Sequence, residues 1–529
     1  MNGIIPQPNK IQKKNGQFLL GGDITVKSSA RYAQSAEKLA GMIRSSYTCV
    51  NITDNSPRLI ELSEVTYLGQ EEYVIECSPD KLEIKASKRA GLLYAINTLY
   101  MMLELHSFHH SPTPIDCFFI ADKPRFRWRG IMLDEARHFF GKAAVLKLID
   151  MMCLNKLNVL HWHLSDDQGY RLESKAFPLL HEIGSKRSDT QIGGENSNLY
   201  EGTGHEGYYT HQDIKEIVDT ARSHNILIVP HIELPAHTTA MAAAYPQYFC
   251  NTESVPVATS FGRKDTLLCA GDKSAYEFVF TLLDEICSIF PSPYIGVGGA
   301  DVNTSIWTEC ERCKKFMSEN DICDADALKR YFINYLSARL KAKGRRMICS
   351  NFATDENTSY DVIGQYMSPK DDKSIPLQLR MGRSFIVSRP QYLSFDAPYC
   401  QIPLKKTYEY DPDKDIKDCR YLRGKIMGME AALWTEWISD KEKLEMCLYP
   451  RMAVLSEACW SEPTFKSFKS FKARLPKYKD MLTDKGIRYA EDGISMPRGI
   501  INRYKRLYYY NLNDKNVEVR TNREHYQDN

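Results

Sequence analysis

A chain of 529 residues is too long for one ordinary core and suits a large barrel with a smaller companion domain. Its 69 basic and 67 acidic residues leave a formal net charge of +2, which argues against nucleic-acid and anionic-membrane binding and favours a neutral glycan or other small molecule. No stretch approaches the length of an apolar membrane span, and the first thirty residues lack an apolar run after a basic start, so the sequence reads as soluble.

Residues 1 to about 122 alternate β-like runs such as EEYVIEC and KLEIKAS with the helical RAGLLYAINTLYMMLELH, the pattern of a small α+β domain. DKPRFRWRG then marks the entry to a second unit, 123–490. From Arg129 onward, strand-length apolar runs recur, each closed by polar residues and followed by a helical pattern: IMLDEARH, NVLHWHLSDDQG, ILIVPHIELPAH, YIGVGGAD, RMICSNF, VIGQYM, FIVSRPQYLSFD and IMGMEAALWTE. Continuous apolar strands alternating with helices predict an α/β fold with a parallel sheet, and these eight units can close into a (β/α)8 TIM barrel. In the helix between the first two strands, Val145, Leu148, Ile149, Met152 and Leu157 recur near helical spacing and read as core. Residues 491–529, rich in charge and tyrosine, read as a C-terminal extension with an ordered edge and a loose tail.

The fifteen cysteines are scattered through apolar segments, which points to reduced buried thiols and a cytoplasmic setting, with a secreted or periplasmic one open if a signal peptide has been removed. Cys310 and Cys313 form a lone C-x-x-C without obvious partners nearby, so no metal is expected there. His161 and His163, two apart in one strand, lack a third ligand at useful spacing and read as packing residues.

Barrel enzymes draw their chemistry from the C-terminal ends of the strands. The polar terminators are Arg129, Asp134, Asp166, Asp167, His231, Glu233, His237, Asp301, Asp396, Trp434 and Glu436. A cationic fork, several carboxylates and a flat aromatic suit a carbohydrate site, because Arg grips paired hydroxyls and Trp covers the C–H face of a sugar ring. Asp134, Arg137 and His138 read as ties between the first strand and its neighbours.

Several long motifs in order, WRGIMLDEARHFF, KLNVLHWHLSDDQGYRLESKAFPLL, GYYTHQDIKEIV, ILIVPHIELPAHT, SPYIGVGGADVNTSIW, MEAALWTEWIS and YPRMAVLSEACWSE, closely resemble glycoside hydrolase family 20, the β-N-acetylhexosaminidases. The resemblance covers about residues 1–490 and implies exo-hydrolysis of a terminal β-linked N-acetylhexosamine, with the substrate's acetamide as nucleophile and no cofactor. It implies that Arg129, Asp396, Trp434 and Glu436 hold the sugar, while His237 and Asp166 orient and tune the acid.

The resemblance breaks at the H-x-G-G-D-E motif, which falls on Gly296–Asp301. Ala300 replaces the acetamide-orienting Asp, and Asp301 replaces the acid Glu with a carboxyl about 1.5 Å shorter, one carbon–carbon bond. Ser394 stands at the Tyr that would bond the acetamide, His231 at a usual Glu, and SNFATD and IGQYM lack the family's pocket tryptophans. This selective loss predicts a β-glycoside without an ordinary 2-acetamido group, with Asp301 as acid and a second carboxylate from Asp166, Glu233, Asp396 or Glu436. Ordinary N-acetylhexosaminidase activity and a catalytically silent glycan-binding barrel are the alternatives.

Overall fold

The computed structural model describes residues 3–416, 422, 424–497 and 499. The first sheet has seven strands: β1 (Lys10–Leu20), β2 (Gly22–Ser28), β3 (Val50–Ile52), β4 (Leu59–Glu64), β5 (Tyr73–Cys77), β6 (Lys81–Ala86) and β7 (Thr113–Asp122). Their order is β1-β7-β5-β6-β4-β2-β3, with helices α1 (Ala33–Ser46) and α2 (Arg89–Met102). β5 and β6 alternate buried and half-buried residues, as a sheet with one covered face must. α2 is buried almost all round because it also meets the second unit.

Eight parallel strands then close a barrel: β8 (Trp128–Asp134), β9 (Val159–Asp166), β10 (Leu227–Leu234), β11 (Tyr294–Gly298), β12 (Arg346–Ser350), β13 (Ile363–Tyr366), β14 (Phe385–Val387) and β15 (Ile426–Leu433). β15 pairs with β8 from Gly428↔Trp128 to Leu433↔Leu133, completing the ring. These are the eight predicted strands, and they are buried on both faces because helices such as α3 (Lys142–Leu154), α4 (His211–Ser223) and α5 (Lys273–Ile289) cover the outside. Val145, Leu148, Ile149 and Met152 lie on the buried side of α3, and Leu157 packs just beyond it. Shorter helices α6 (Ser305–Glu309) and α7 (Glu311–Glu319) follow β11. Of the C-terminal extension, only the turn Asp492–Ser495 and a few neighbours belong to the described residues.

The barrel interior is layered. Trp128, Val159, Val229, Ile348, Ile363, Ile386 and Met427 form an apolar floor near the strand starts. Above it, buried Glu430 accepts hydrogen bonds from Trp128 Nε1 (2.9 Å) and Gln365 Nε2 (2.7 Å) and meets His161 Nδ1 at 2.9 Å. His161 Nε2 in turn lies 2.9 Å from His231 Nδ1, and His231 Nε2 lies 3.2 Å from Glu233. His161 is thus an interior packing residue, satisfied on both ring nitrogens.

The two units are joined by buried charge under the floor. Lys156 Nζ donates to Asp122 (3.1 Å) and Tyr73 (2.7 Å), Asn97 Nδ2 donates to the Cys153 carbonyl (2.7 Å), and Arg129 pairs with Glu71.

Candidate active site

The first wall of the mouth is the loop after β8. Asp134 accepts from Ala136 N (2.9 Å), Arg137 N (3.2 Å), Arg137 Nη1 (3.2 Å) and Thr435 N (3.1 Å). Burial opposes its charge, but Arg137 and His163 hold it below the ordinary carboxylate value. His138 bonds Thr435 through its backbone N–H (3.1 Å) and Nδ1 (2.5 Å), so Asp134 and His138 do tie the first strand to the last. Arg171 and Arg187 donate to the carbonyls of Glu135, Ala136 and Arg137 and fix the loop's path.

Arg137 goes further than a tie. Its Nη2 lies 2.8 Å from Asp166, its Nε donates to Gln168 (3.2 Å), and its guanidinium stacks 5.1 Å from the centre of the Trp434 ring. Burial works against its charge, which Asp166, Asp134 and Glu436 restore. Half-buried Trp434 therefore faces this guanidinium, half-buried Glu436 acts on it through its charge, and His163 meets Trp434 edge-on at 5.2 Å.

Arg129, expected to grip the sugar, is instead part of the floor. It sits five residues before Asp134, about 16 Å back along the strand. It is fully buried, and Nε, Nη1 and Nη2 donate to the Lys156 and Phe126 carbonyls, both Glu71 oxygens and Tyr94, which uses all five N–H donors. No donor remains for a hydroxyl. Arg137, at the correct end of the same strand, is the arginine of the mouth.

The second wall is an acid–histidine cluster from β9 and β10. Asp166 meets His163 Nε2 (3.0 Å), Arg137 (2.8 Å), His237 Nδ1 (3.2 Å) and the Asp167 N–H (2.7 Å). Burial would neutralise it, but Arg137 and His237 hold it well below the usual carboxylate range. Asp167 lies 3.0 Å from His237 Nδ1 and accepts from the Thr239 N–H (3.0 Å) and hydroxyl (2.6 Å). His237 Nε2 points the other way, 3.6 Å from Asp301 Oδ2. Burial depresses His237, yet Asp166, Asp167 and Asp301 together raise it well above the ordinary imidazole value. The nearby His237 imidazole holds Asp301 low despite partial burial.

Asp301 is carried by a left-handed turn after β11: Gly298, Gly299 and Asp301 have φ of 65°, 86° and 52°. A Cβ on Gly298 would fall 1.8 Å from Glu233 Oε2, and one on Gly299 2.7 Å from Ala353. The carboxyl of Asp301 remains 69% exposed. Glu233 lies beneath the turn, with His231 on one oxygen and, among the described residues, no hydrogen-bond partner on the other. Burial pushes His231 down to about 4, so its ring is neutral at pH 7. Asp396 sits half-buried next to Phe395, whose N–H donates to Ala432 in β15 (2.7 Å).

Asp166, His237 and Asp301 are therefore joined in one line, and Arg137 links Asp166 to Trp434. Asp167 was the partner of His237 that the pairing of His237 with Asp166 alone had missed; the doubled acid in SDDQG was its signal.

The family model for glycosyl hydrolase family 20, catalytic domain, matches residues 126–463, and that for domain 2 of the same family matches residues 1–123. The chain belongs to glycosyl hydrolase family 20. It is 29% identical to a β-hexosaminidase of Akkermansia muciniphila over 81% of this chain and 87% of that one. A Vibrio furnissii β-hexosaminidase is 28% identical, over 86% and 76%. The exo β-N-acetylglucosaminidase of Vibrio harveyi, solved with N-acetylglucosamine, superposes with a TM-score of 0.81 at 25% identity, covering 92% of this chain and 78% of that one. This family 20 member is a glycosidase that hydrolyses O-glycosyl bonds.

Proposed function

We propose that this family 20 enzyme removes a terminal non-reducing β-linked hexose whose C2 does not bear an ordinary acetamide. The observation that carries the reading is Ala300: where the family resemblance calls for a carboxylate to accept the acetamide N–H, the turn beside Asp301 offers a methyl group. Ser394 and the tryptophan-free segments after β12 and β13 support it. In this reading Arg137 and Glu436 hold ring hydroxyls and Trp434 lies against the sugar face. His237 and Asp301 store one proton between them, and delivering it to the glycosidic oxygen leaves Asp301 ionised and His237 neutral. Water then adds at C1, and the proton it releases returns to the Asp301–His237 pair, directly or by way of a second carboxylate, which restores the starting state.

Asp166 does not serve as the second carboxylate. Its two oxygens already meet four donors, so no lone pair is well placed for attack, and its role is to hold Arg137 and His237. The remaining choices are Glu233, Asp396 and Glu436, and the anomer released first from an aryl glycoside, followed by NMR, separates retention from inversion.

The test compares kcat/KM on aryl β-N-acetylglucosaminide, β-glucoside and β-galactoside. Preference for a 2-hydroxy sugar is expected; a strong preference for the acetamido sugar refutes the reading and returns the enzyme to the activity for which its relatives are named. Asp301→Asn is expected to abolish turnover with little change in binding, and an unaffected rate removes Asp301 from the chemistry.

A further inference from the structure

Cys310 and Cys313 are not alone. Cys310 caps the start of α7 and Cys313 lies in its first turn. Opposite them, a chain segment leaving β10 forms a narrow antiparallel bridge: Phe249 pairs with Leu268, the Cys250 N–H donates to Leu267 (3.0 Å), and the Cys269 N–H donates to Tyr248 (3.0 Å). This pairing sets Cys250 and Cys269 side by side and aims them at α7. All four sulfurs lie within 4.8 Å of one another.

The spacings are those of a metal tetrahedron rather than of disulfides. Sγ–Sγ separations are 3.6 Å for Cys269–Cys313, 3.8 Å for Cys269–Cys310 and 3.9 Å for Cys250–Cys313. Four thiolates about 2.3 Å from one zinc ion stand about 3.8 Å apart along each tetrahedral edge, whereas a disulfide requires about 2.05 Å. Cys269 and Cys313 each approach two other sulfurs at once, which no pairwise bonding scheme satisfies but a shared central ion does. Among the described residues it is the one all-cysteine group of this kind.

The surroundings hold the four residues in place independently. Gly271 packs directly on α7, where a Cβ would come within 2.4 Å of Cys313 Cα. Arg312, between the two helical cysteines, donates to Asp272 (2.5 Å), to the Gln247 carbonyl (3.1 Å) and to the Phe249 carbonyl. It fastens α7 to the strand that carries Cys250. When four thiols release their protons to a divalent cation, the site keeps two negative charges, and the Arg312 guanidinium lies alongside.

We propose that Cys250, Cys269, Cys310 and Cys313 form a closed tetrathiolate zinc site that braces the active-site mouth. Four protein ligands leave no open position, so the ion is structural. It joins the segment that follows His237 to the helices that follow Asp301, and the Asn303–Asp265 hydrogen bond (3.1 Å) crosses the same gap. This corrects the expectation of a C-x-x-C without partners: the fold supplies them from residues 41 to 63 positions earlier.

The test is metal analysis of the full chain, grown with zinc and purified under reducing conditions. About one tightly held zinc per chain is expected in the wild type and in the control Cys323→Ser, whose cysteine is exposed and outside the group. Cys269→Ser and Cys313→Ser are expected to lose it. Because those variants can fail to fold, zinc in the wild type is also exchanged for cobalt(II), which should give the intense thiolate-to-cobalt charge-transfer absorption and visible bands of a tetrahedral site. Absence of that spectrum, retention of zinc by both serine variants, or disulfides among these four cysteines in the reduced preparation overturns the proposal.

Discussion

Replacing Arg129 by methionine separates two roles that the same residue could have played. In the structure its five donors are spent on Glu71, Tyr94 and two carbonyls beneath the barrel floor. Removing one partner of a buried ion pair costs about 3–5 kcal/mol, because the other is left uncompensated. Glu71 is only partly covered, its side chain 20% exposed, so the lower end is the better estimate. Unfolding about 490 ordered residues carries an entropy near 1 kcal/mol per kelvin, so the midpoint should fall by about 3–4 °C. The assay pairs a thermal or urea melt with KM and kcat measured well below the transition. KM should be unchanged in Arg129→Met, while Arg137→Met should lose turnover on the same substrate. A raised KM in Arg129→Met at unaltered stability would refute the assignment of Arg129 to the floor.

Other outcomes follow from the same geometry. Burial notwithstanding, His237 is raised by its carboxylates, so its stabilising contribution is complete below the free-imidazole pKa near 6.5 and is lost only as pH rises through the higher folded value. The alkaline limb of kcat/KM should therefore lie above neutrality and move down in Asp167→Asn; an unmoved limb would sever His237 from Asp167. Asp166 is held low, so its contribution is present above about pH 4 and disappears as pH falls through its depressed folded value, a loss visible in acid unfolding. Gly298→Ala should cost on the order of a hundredfold in kcat, since the new methyl displaces the turn from Glu233 and misplaces Asp301 by about 1 Å; a normal rate would mean the turn is not what aims Asp301. Trp434→Ala should raise KM up to about tenfold through lost stacking, with a smaller effect on kcat.

The architecture was readable because apolar runs of strand length between helical patterns have few other solutions, and each of the eight runs became a barrel strand. The polar terminators were readable for the same reason: strand ends converge. Arg129 was misread because one residue's place along a strand decides whether it meets the floor or the mouth, and WRG lies at the strand start whereas EARH lies past its end. Arg137 carried that signal in its position, but a tie to Asp134 and a grip on Asp166 look alike until distances are known. The grouping of Cys250 and Cys269 with Cys310 and Cys313 depends on two loops from different strands meeting, which no local pattern encodes.

The buried charges between the two units make the first 122 residues more than an attachment. A chain cut at residue 123 would strip Arg129 of Glu71 and Tyr94 and Lys156 of Tyr73 and Asp122, exposing on the barrel's underside one cation with half its partners gone and another with both of its Nζ partners gone. It would also uncover the part of α3 against which α2 packs, where Asn97 meets Cys153. Evolution could exchange the loops at the open end of this barrel freely, but its closed end is sealed by another unit. Shuffling the catalytic part into a new protein would mean carrying the seven-stranded sheet along with it.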